Sequence, residues 1–269
     1  MNGKKLRLGL IGKDVSKSLS ERIHTFILKE WGIECVYERF SVSAEEFDGA
    51  IKTLMREYDG FNITIPYKKE VSAYLRAVED GARACDSVNT VVTATGTGYN
   101  TDGTGFLLML ETAGIKVQGK KVLVLGVGGS GRSSALALKN AGASVWAYRR
   151  NAQALLEICS KIGVFPCENP EVGGFDIVVN CTGVGMHDTE GVSPVSQKAF
   201  QGASFAVDLI YTPQKSAFLQ TAEKAGVAVL NGESMLFYQA YYADCLYTEK
   251  TPSVSEAYEL YEKYKRSSL

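Results

Sequence analysis

Val122-Leu123-Val124-Leu125-Gly126-Val127-Gly128-Gly129-Ser130-Gly131 decides how this chain is read. Four successive apolar residues describe a strand covered on both faces, as the strands of a parallel sheet are. The glycines fit G-x-G-x-x-G, and an alanine- and leucine-rich helix follows and closes at Gly142. In that order, strand, turn and helix let backbone approach a pyrophosphate, whose charge is met by N–H groups at the helix start. A glycine turn without a ligand is the plain alternative. A further apolar strand over 144–148 in register behind the helix favours a dinucleotide.

That second strand ends in Tyr148-Arg149-Arg150-Asn151. An NAD site usually has Asp or Glu here, accepting from the ribose 2′-hydroxyl. The charge is reversed in this chain, and guanidinium groups suit a 2′-phosphate dianion, so NADP is expected over NAD. Outward from this core, apolar runs at 176–180, 205–210 and 227–230 alternate with helical stretches, which describes a doubly wound parallel sheet.

The first third also alternates: a strand over 6–12, a helix over 18–31, a strand over 36–42, then a helix over 44–58 with Phe47, Ile51, Leu54 and Met55 on one face. A short strand over 61–65 ends at Pro66, which is read as opening a helix with Lys68 in its first turn. Strand 88–92 and a glycine turn lead to Asn100-Thr101-Asp102-Gly103, and a helix through Phe106, Leu107 and Leu110 ends at Gly114. The tail over 253–264 reads as an amphipathic helix with a capping box in Ser253 and Glu256.

The chain has 269 residues, 45% of them hydrophobic, enough for two cores. With 29 basic against 30 acidic residues there is no cationic excess to release counterions from a polyphosphate, and nucleic acid is not expected. No apolar run approaches the roughly 18 residues of a membrane span, and residues 1–12 lack a signal-peptide pattern, so a cytoplasmic protein is expected. Cys35, Cys85, Cys159, Cys167, Cys181 and Cys245 form no C-x-x-C pair, and His24 and His187 stand far apart, so no metal site is expected. His24 reads as a hydrogen-bonded structural histidine, and no Tyr-x-x-x-Lys stands where a short-chain dehydrogenase needs it.

Lys68 and Asp102 suit carbonyl reduction as a pair: the ammonium donates to oxygen as hydride reaches carbon, and the carboxylate holds the ammonium. Taken singly, each has a plain reading, a solvated helix start and a turn residue.

The order of short blocks resolves the matter. Ser16-Lys17-Ser18, Asn62-Ile63-Thr64-Ile65-Pro66-Tyr67-Lys68, Val88-Asn89-Thr90, Asn100-Thr101-Asp102-Gly103, the glycine loop, Asn180-Cys181-Thr182, 208–213 and 235–239 follow one another as in the shikimate dehydrogenases. The chain resembles that family along nearly its whole length. The resemblance implies an α/β fold: an N-terminal α/β substrate domain, 1–103 with 237–269, and an NADP-binding Rossmann-like doubly wound domain, 104–236. Two linkers would then act as a hinge that brings hydride and carbonyl together.

It further implies Lys68 and Asp102 as the catalytic pair. Ser16 and Ser18 would bind the substrate carboxylate, and Thr64, Asn89, Asp102 and Gln239 its ring hydroxyls. Gly126, Gly128, Gly129 and Ser130 match the phosphate loop, and Arg150, with Arg149 beside it, the 2′-phosphate site. Thr182, Gly185 and Met186 match the loop near the nicotinamide. Tyr211, counted with the substrate residues, Gly232 and Met235 match the rest of that wall.

The chain departs from the family at Leu19, Arg149, Gly183 and Ser216. The activity implied is reversible, NADPH-dependent reduction of 3-dehydroshikimate to shikimate in aromatic amino acid biosynthesis. A dehydrogenase of broader quinate/shikimate range is the near alternative, and a non-catalytic NADP(H)-sensing protein the remote one. A monomer and a homodimer both stay open.

Overall fold

The computed structural model describes residues 5–267. It divides into two units, one running to Gly105 and resuming at Leu236, the other formed by Phe106–Met235.

In the first unit the chain runs β1 (Leu6–Gly12), α1 (Ser20–Glu30), β2 (Cys35–Ser41), α2 (Phe47–Glu57), β3 (Gly60–Ile63), β4 (Ala77–Val78), α3 (Asp80–Cys85), β5 (Thr90–Val92), β6 (Thr97–Tyr99) and the start of α4 (Asp102–Thr112). The sheet order is β2-β1-β3-β5-β6-β4. β1 pairs in parallel with β2 and β3, while β5 is antiparallel to both its neighbours. The apolar stripe of α2 buries Phe47, Ile51 and Leu54 against Ile11, Phe61 and Ile63, as its 3.6-residue spacing requires.

Pro66 does not open a helix. Residues 65–69 form a turn, closed by Tyr67 N–H to Thr64 O at 3.0 Å, and only a short 3₁₀ helix over Glu70–Tyr74 follows. The Tyr67 hydroxyl donates to Val42 O at 2.8 Å, drawing its ring inward beneath Phe47. Lys68 therefore leaves a turn rather than a helix.

The second unit takes β7 (Lys121–Leu125), α5 (Gly129–Asn140), β8 (Ser144–Tyr148), α6 (Ala152–Ile162), β9 (Phe165–Pro166), β10 (Ile177–Asn180), β11 (Phe205–Asp208), α7 (Ala217–Lys224) and β12 (Ala228–Leu230). Its strands are all parallel in the order β12-β11-β10-β7-β8-β9, a doubly wound sheet that reverses direction at β7. Register aligns Leu125 with Tyr148 on one side and with Asn180 and then Asp208 on the other. The glycine loop, Arg149–Arg150, Thr182 and Tyr211 therefore all leave the sheet at its carboxyl edge. β9, two exposed residues, has no periodicity to reveal it.

The chain passes between the units inside α4 and again inside α8 (Glu233–Thr248), so neither crossing is a separate loop. The last helix, α9 (Val254–Ser267), buries Ala257, Leu260, Tyr261 and Tyr264. Its capping box is half formed: Ser253 Oγ accepts from Glu256 N at 3.4 Å, but the Glu256 carboxylate takes the Tyr241 hydroxyl at 2.8 Å.

His24 on α1 is fully buried and its Nδ1 lies 2.6 Å from Asp244 Oδ1 on α8, with the imidazole stacked on Tyr37 at 4.7 Å. Burial pushes the Asp244 carboxyl up to about 6, against the pull of His24. Removing one partner strands the other, so His24→Leu or Asp244→Leu should each cost about 3–5 kcal/mol. The double variant should cost less than either single change, as read from urea unfolding of the three proteins.

Candidate active site

Lys68 Nζ stands 2.6 Å from Asp102 Oδ2, with the two side chains 15% and 7% exposed. The turn after β3 is what brings it there: Val88 N–H donates to Lys68 O at 2.7 Å, tying that turn to the segment entering β5. Asp102 opens α4, its own N–H bonded to Asn100 Oδ1 at 3.0 Å, and a carboxylate in a first turn lies favourably in the helix dipole. Its second oxygen accepts from Asn89 Nδ2 at 2.7 Å. The same amide nitrogen reaches Gln239 Oε1 at 3.5 Å, and Gln239 donates to Leu236 O at 2.8 Å. A Cβ on Gly105 would stand 2.6 Å from Gln239 N, so only glycine lets α4 approach α8 this closely. Lys68, Asp102, Asn89 and Gln239 thus form one hydrogen-bonded cluster.

Thr64 follows β3, its N–H on Ile11 O at 2.9 Å. The serine loop is tied to it by Lys13 N–H to Ile65 O at 3.1 Å. Within that loop the Ser16 hydroxyl donates to Asp14 Oδ1 at 2.7 Å, and the Ser18 hydroxyl to Ser20 Oγ at 3.0 Å. Both hydroxyls are turned on their own loop rather than on the Lys68 cluster.

In the second unit a Cβ on Gly131 would meet Gly126 O at 2.0 Å, whereas one on Gly128 would meet nothing within 4 Å. The last glycine serves packing; the middle one leaves the loop open to a ligand. Within α5 the bonding of the first turn begins with Arg132 N–H to Gly128 O, which leaves the helix start suited to a pyrophosphate. Arg149 and Arg150 follow β8 exposed, and Asn151 caps α6 by accepting from Ala154 N at 2.9 Å. These features fit a dinucleotide phosphate at the loop and a 2′-phosphate at the arginines.

Three residues that carry the remaining loops were not among the expected site residues. Asn180 Oδ1 accepts from Thr182 N at 3.0 Å and from its hydroxyl at 2.6 Å. Asn180 Nδ2 donates to Asp208 Oδ1 at 3.0 Å, and Asp208 Oδ2 accepts from Ser216 Oγ at 2.5 Å. Ile210 N–H adds a further bond to Asp208 at 3.0 Å, so Asp208 holds both the Thr182 and Tyr211 loops. The signal for Asn180 and Asp208 lies in the blocks 180–182 and 208–213, where a short polar residue ends an apolar strand; Ser216 lies outside both. Gly185, with φ at 114°, donates to Thr189 Oγ1 at 3.0 Å beside Met186. Gly232 N–H reaches Ile210 O at 3.3 Å, and Met235 is buried.

A dinucleotide-type sheet with basic residues after its second strand, and a lysine–carboxylate pair in the other unit, define an NADP-dependent oxidoreductase. Residues 10–91 match the family model described as the shikimate dehydrogenase substrate binding domain. A shikimate dehydrogenase (NADP(+)) of Caldanaerobacter subterraneus subsp. tengcongensis is 41% identical, covering 89% of this chain and 90% of the relative. One from Thermus thermophilus is 36% identical over 93% of this chain and 95% of its own length. The crystal structure of the Thermus thermophilus shikimate 5-dehydrogenase in complex with NADP(H) and shikimate matches at TM-score 0.87 and 35% identity, covering 96% of this chain and 99% of that one. The chain belongs to the shikimate dehydrogenase family. Among the described residues no group of histidine, cysteine, aspartate and glutamate is placed to hold a metal, and no helix is long and apolar enough to cross a membrane.

Asp208 is fully buried, and burial pushes its carboxyl up to about 6, opposed by Ser216, Ile210 and Asn180. A carboxyl whose folded pKa lies above its unfolded value stabilises the fold at low pH and loses that contribution as pH rises through the folded value. Against Asp208→Asn, the wild-type protein should therefore lose stability between about pH 4 and 7, by an amount on the order of 3 kcal/mol. Urea unfolding of both proteins across that range measures it.

Proposed function

We propose that this chain catalyses the NADPH-dependent, reversible reduction of 3-dehydroshikimate to shikimate, with Lys68 and Asp102 as its catalytic pair. The observation that carries the reading is the 2.6 Å contact between them, with Asn89 on the other carboxylate oxygen. An ammonium has three N–H donors, and Asp102 occupies one. The others are available to a substrate oxygen, so Lys68 delivers a proton as negative charge develops there, and Asp102 keeps its nitrogen in place throughout. In the reverse direction the same nitrogen receives the proton from the ring hydroxyl.

Asn89 and Gln239 bring amide groups to this pair and, with the Thr64 hydroxyl, would take the ring hydroxyls. Ser16 and Ser18 offer neutral donors to the carboxylate, which is sufficient because hydrogen bonds to an anion are stronger than those between neutral groups. Tyr211, half-buried on the loop that Asp208 holds, would offer its hydroxyl to the substrate.

NADPH, when bound, supplies the hydride. Gly126, Gly128, Gly129 and Ser130 would hold its pyrophosphate, Arg149 and Arg150 its 2′-phosphate, and Thr182, Gly185, Met186, Gly232 and Met235 the nicotinamide end. We assign the unit ending at Gly105 and resuming at Leu236 to the substrate, and Phe106–Met235 to the nucleotide. The six cysteines are all free thiols, in keeping with a reducing cytoplasm.

The decisive assay compares kcat/KM for shikimate and quinate with NADP and with NAD. Shikimate with NADP should give the highest value, and preference for quinate or NAD would overturn this reading. Lys68→Ala should lower kcat by about 10²- to 10⁴-fold while NADPH binding, followed by fluorescence titration, stays unchanged. Arg149→Ala and Arg150→Ala should each raise the KM for NADPH by about tenfold and leave that for NADH nearly as it was.

A further inference from the structure

Behind the Lys68–Asp102 pair and Asn89 runs a buried chain of neutral polar groups, Thr90, Asn62 and Tyr37, that the mechanism above does not use. Asn89 Oδ1 accepts from Thr90 Oγ1 at 2.9 Å, Thr90 Oγ1 accepts from Asn62 Nδ2 at 3.2 Å, and Asn62 Oδ1 accepts from the Tyr37 hydroxyl at 2.9 Å. Tyr37, Asn62, Asn89, Thr90 and Asp102 are each 5% exposed or less. The sheet sets this line. Asn62 stands opposite Thr90 in the antiparallel β3–β5 register, while Tyr37 and Asn62 pair with Leu8 and Leu10, which point to one face of β1.

The direction of every bond agrees with an ionised Asp102 and is reinforced by backbone groups on both amides. An ionised carboxylate only accepts, so Asn89 must turn its NH₂ toward Asp102 and its oxygen away. That oxygen takes the single proton of the Thr90 hydroxyl. Thr90 is then left to accept, which requires the NH₂ of Asn62, and the oxygen of Asn62 requires a donor in turn. Tyr37 supplies it. Burial holds the Tyr37 phenol well above its ordinary range, so it stays protonated, and its ring is fixed by the stack on His24. Asn62 also donates to Asn89 O at 3.2 Å, and Thr101 N–H donates to Asn89 Oδ1 at 2.9 Å, so Asn89 is gripped on its amide oxygen and its backbone.

We infer that Thr90, Asn62 and Tyr37 are positioning residues for proton transfer: the one-way chain Tyr37–Asn62–Thr90–Asn89 holds the Asn89 amide with its N–H toward Asp102. Without it the Asn89 amide oxygen keeps only its donors from Thr101, and the N–H is held less firmly toward Asp102 and, through Asp102, toward Lys68. None of these three touches the reacting atoms. The inference rests on the reading of Lys68 and Asp102 as the proton-transfer pair.

Thr90→Val keeps the shape of the side chain and removes its hydroxyl; Thr90→Ser keeps the hydroxyl. On the positioning reading, Thr90→Val lowers kcat at saturating 3-dehydroshikimate by about tenfold or more, with the affinity for NADPH unchanged, and Thr90→Ser restores most of the loss. Tyr37→Phe, which removes only the terminal donor, lowers kcat in the same direction and serves if Thr90→Val does not fold. A merely structural role would lower the melting temperature of Thr90→Val and Tyr37→Phe and leave kcat at 25 °C at the wild-type value, and that result overturns the inference. Wild-type turnover and the collapse of Lys68→Ala, measured alongside, test the catalytic pair itself, so failure of the pair and failure of the chain behind it are told apart.

Discussion

The ion pair between Lys68 and Asp102 imposes a condition that much of the first unit meets. Moving a carboxylate and an ammonium out of water costs several kcal/mol per ion, and their mutual attraction offsets this only when the remaining lone pairs are also satisfied. Asp102 is 5% exposed. Lys68 takes one of its oxygens, Asn89 the other, and the start of α4 adds the favourable end of a helix dipole. Gly105, the Val88–Lys68 backbone bond and the half-in position of Gln239 all serve to let these groups converge.

The second unit meets the same difficulty by other means. Asp208 is also buried at a strand end, but Ser216, Ile210 and Asn180 offer only neutral donors. Burial outweighs them, and the carboxyl moves up to about 6. The two carboxylates therefore suit different tasks. Asp102 has a cation that chemistry can use; Asp208 has a ring of dipoles that fixes where two loops leave the sheet. Ser216, one of the positions where the chain departs from the family, supplies the hydroxyl that Asp208 and the cap of α7 both use.

The second unit was largely legible in the sequence because parallel strands buried on both faces are continuous apolar runs, and those over 122–125 and 144–148 announce themselves. Two-residue β9 could not. In the first unit Lys68 and Asp102, read by themselves, were a helix-start lysine and a turn aspartate. Their meeting depends on β5 returning antiparallel to β3, a long-range register that local composition does not encode. The ordered blocks of the family pointed to the pair; geometry explains it. Pro66 stands in a turn and not at a helix start, because a proline suits both and Tyr67 reaches Val42 O, a contact between residues 25 apart. Asn180 and Asp208 have no role legible in the sequence, since a polar residue closing an apolar strand signals a bond but not its partner.

The serine loop shows where a static arrangement and a binding role are compatible. Ser16 N–H and Oγ both donate to Asp14, and this draws the exposed Asp14 carboxyl below its ordinary range. A substrate carboxylate would compete for that hydroxyl. The loop itself need not move, because Arg39 holds Ser16 O at 2.5 Å while its Nε pairs with Glu21 at 3.1 Å. An exposed hydrogen bond contributes little when water can replace either partner, and a hydroxyl rotates about one bond without disturbing backbone. Ser16 can thus be released to an incoming anion at small cost, while Arg39 keeps its Cα where it is. Leu19, one of the positions where the chain departs from the family, stands where α1 begins without a side-chain cap. The Arg39 anchor on Ser16 O fixes the serine loop ahead of that helix start, so a hydroxyl can turn there without the backbone giving way.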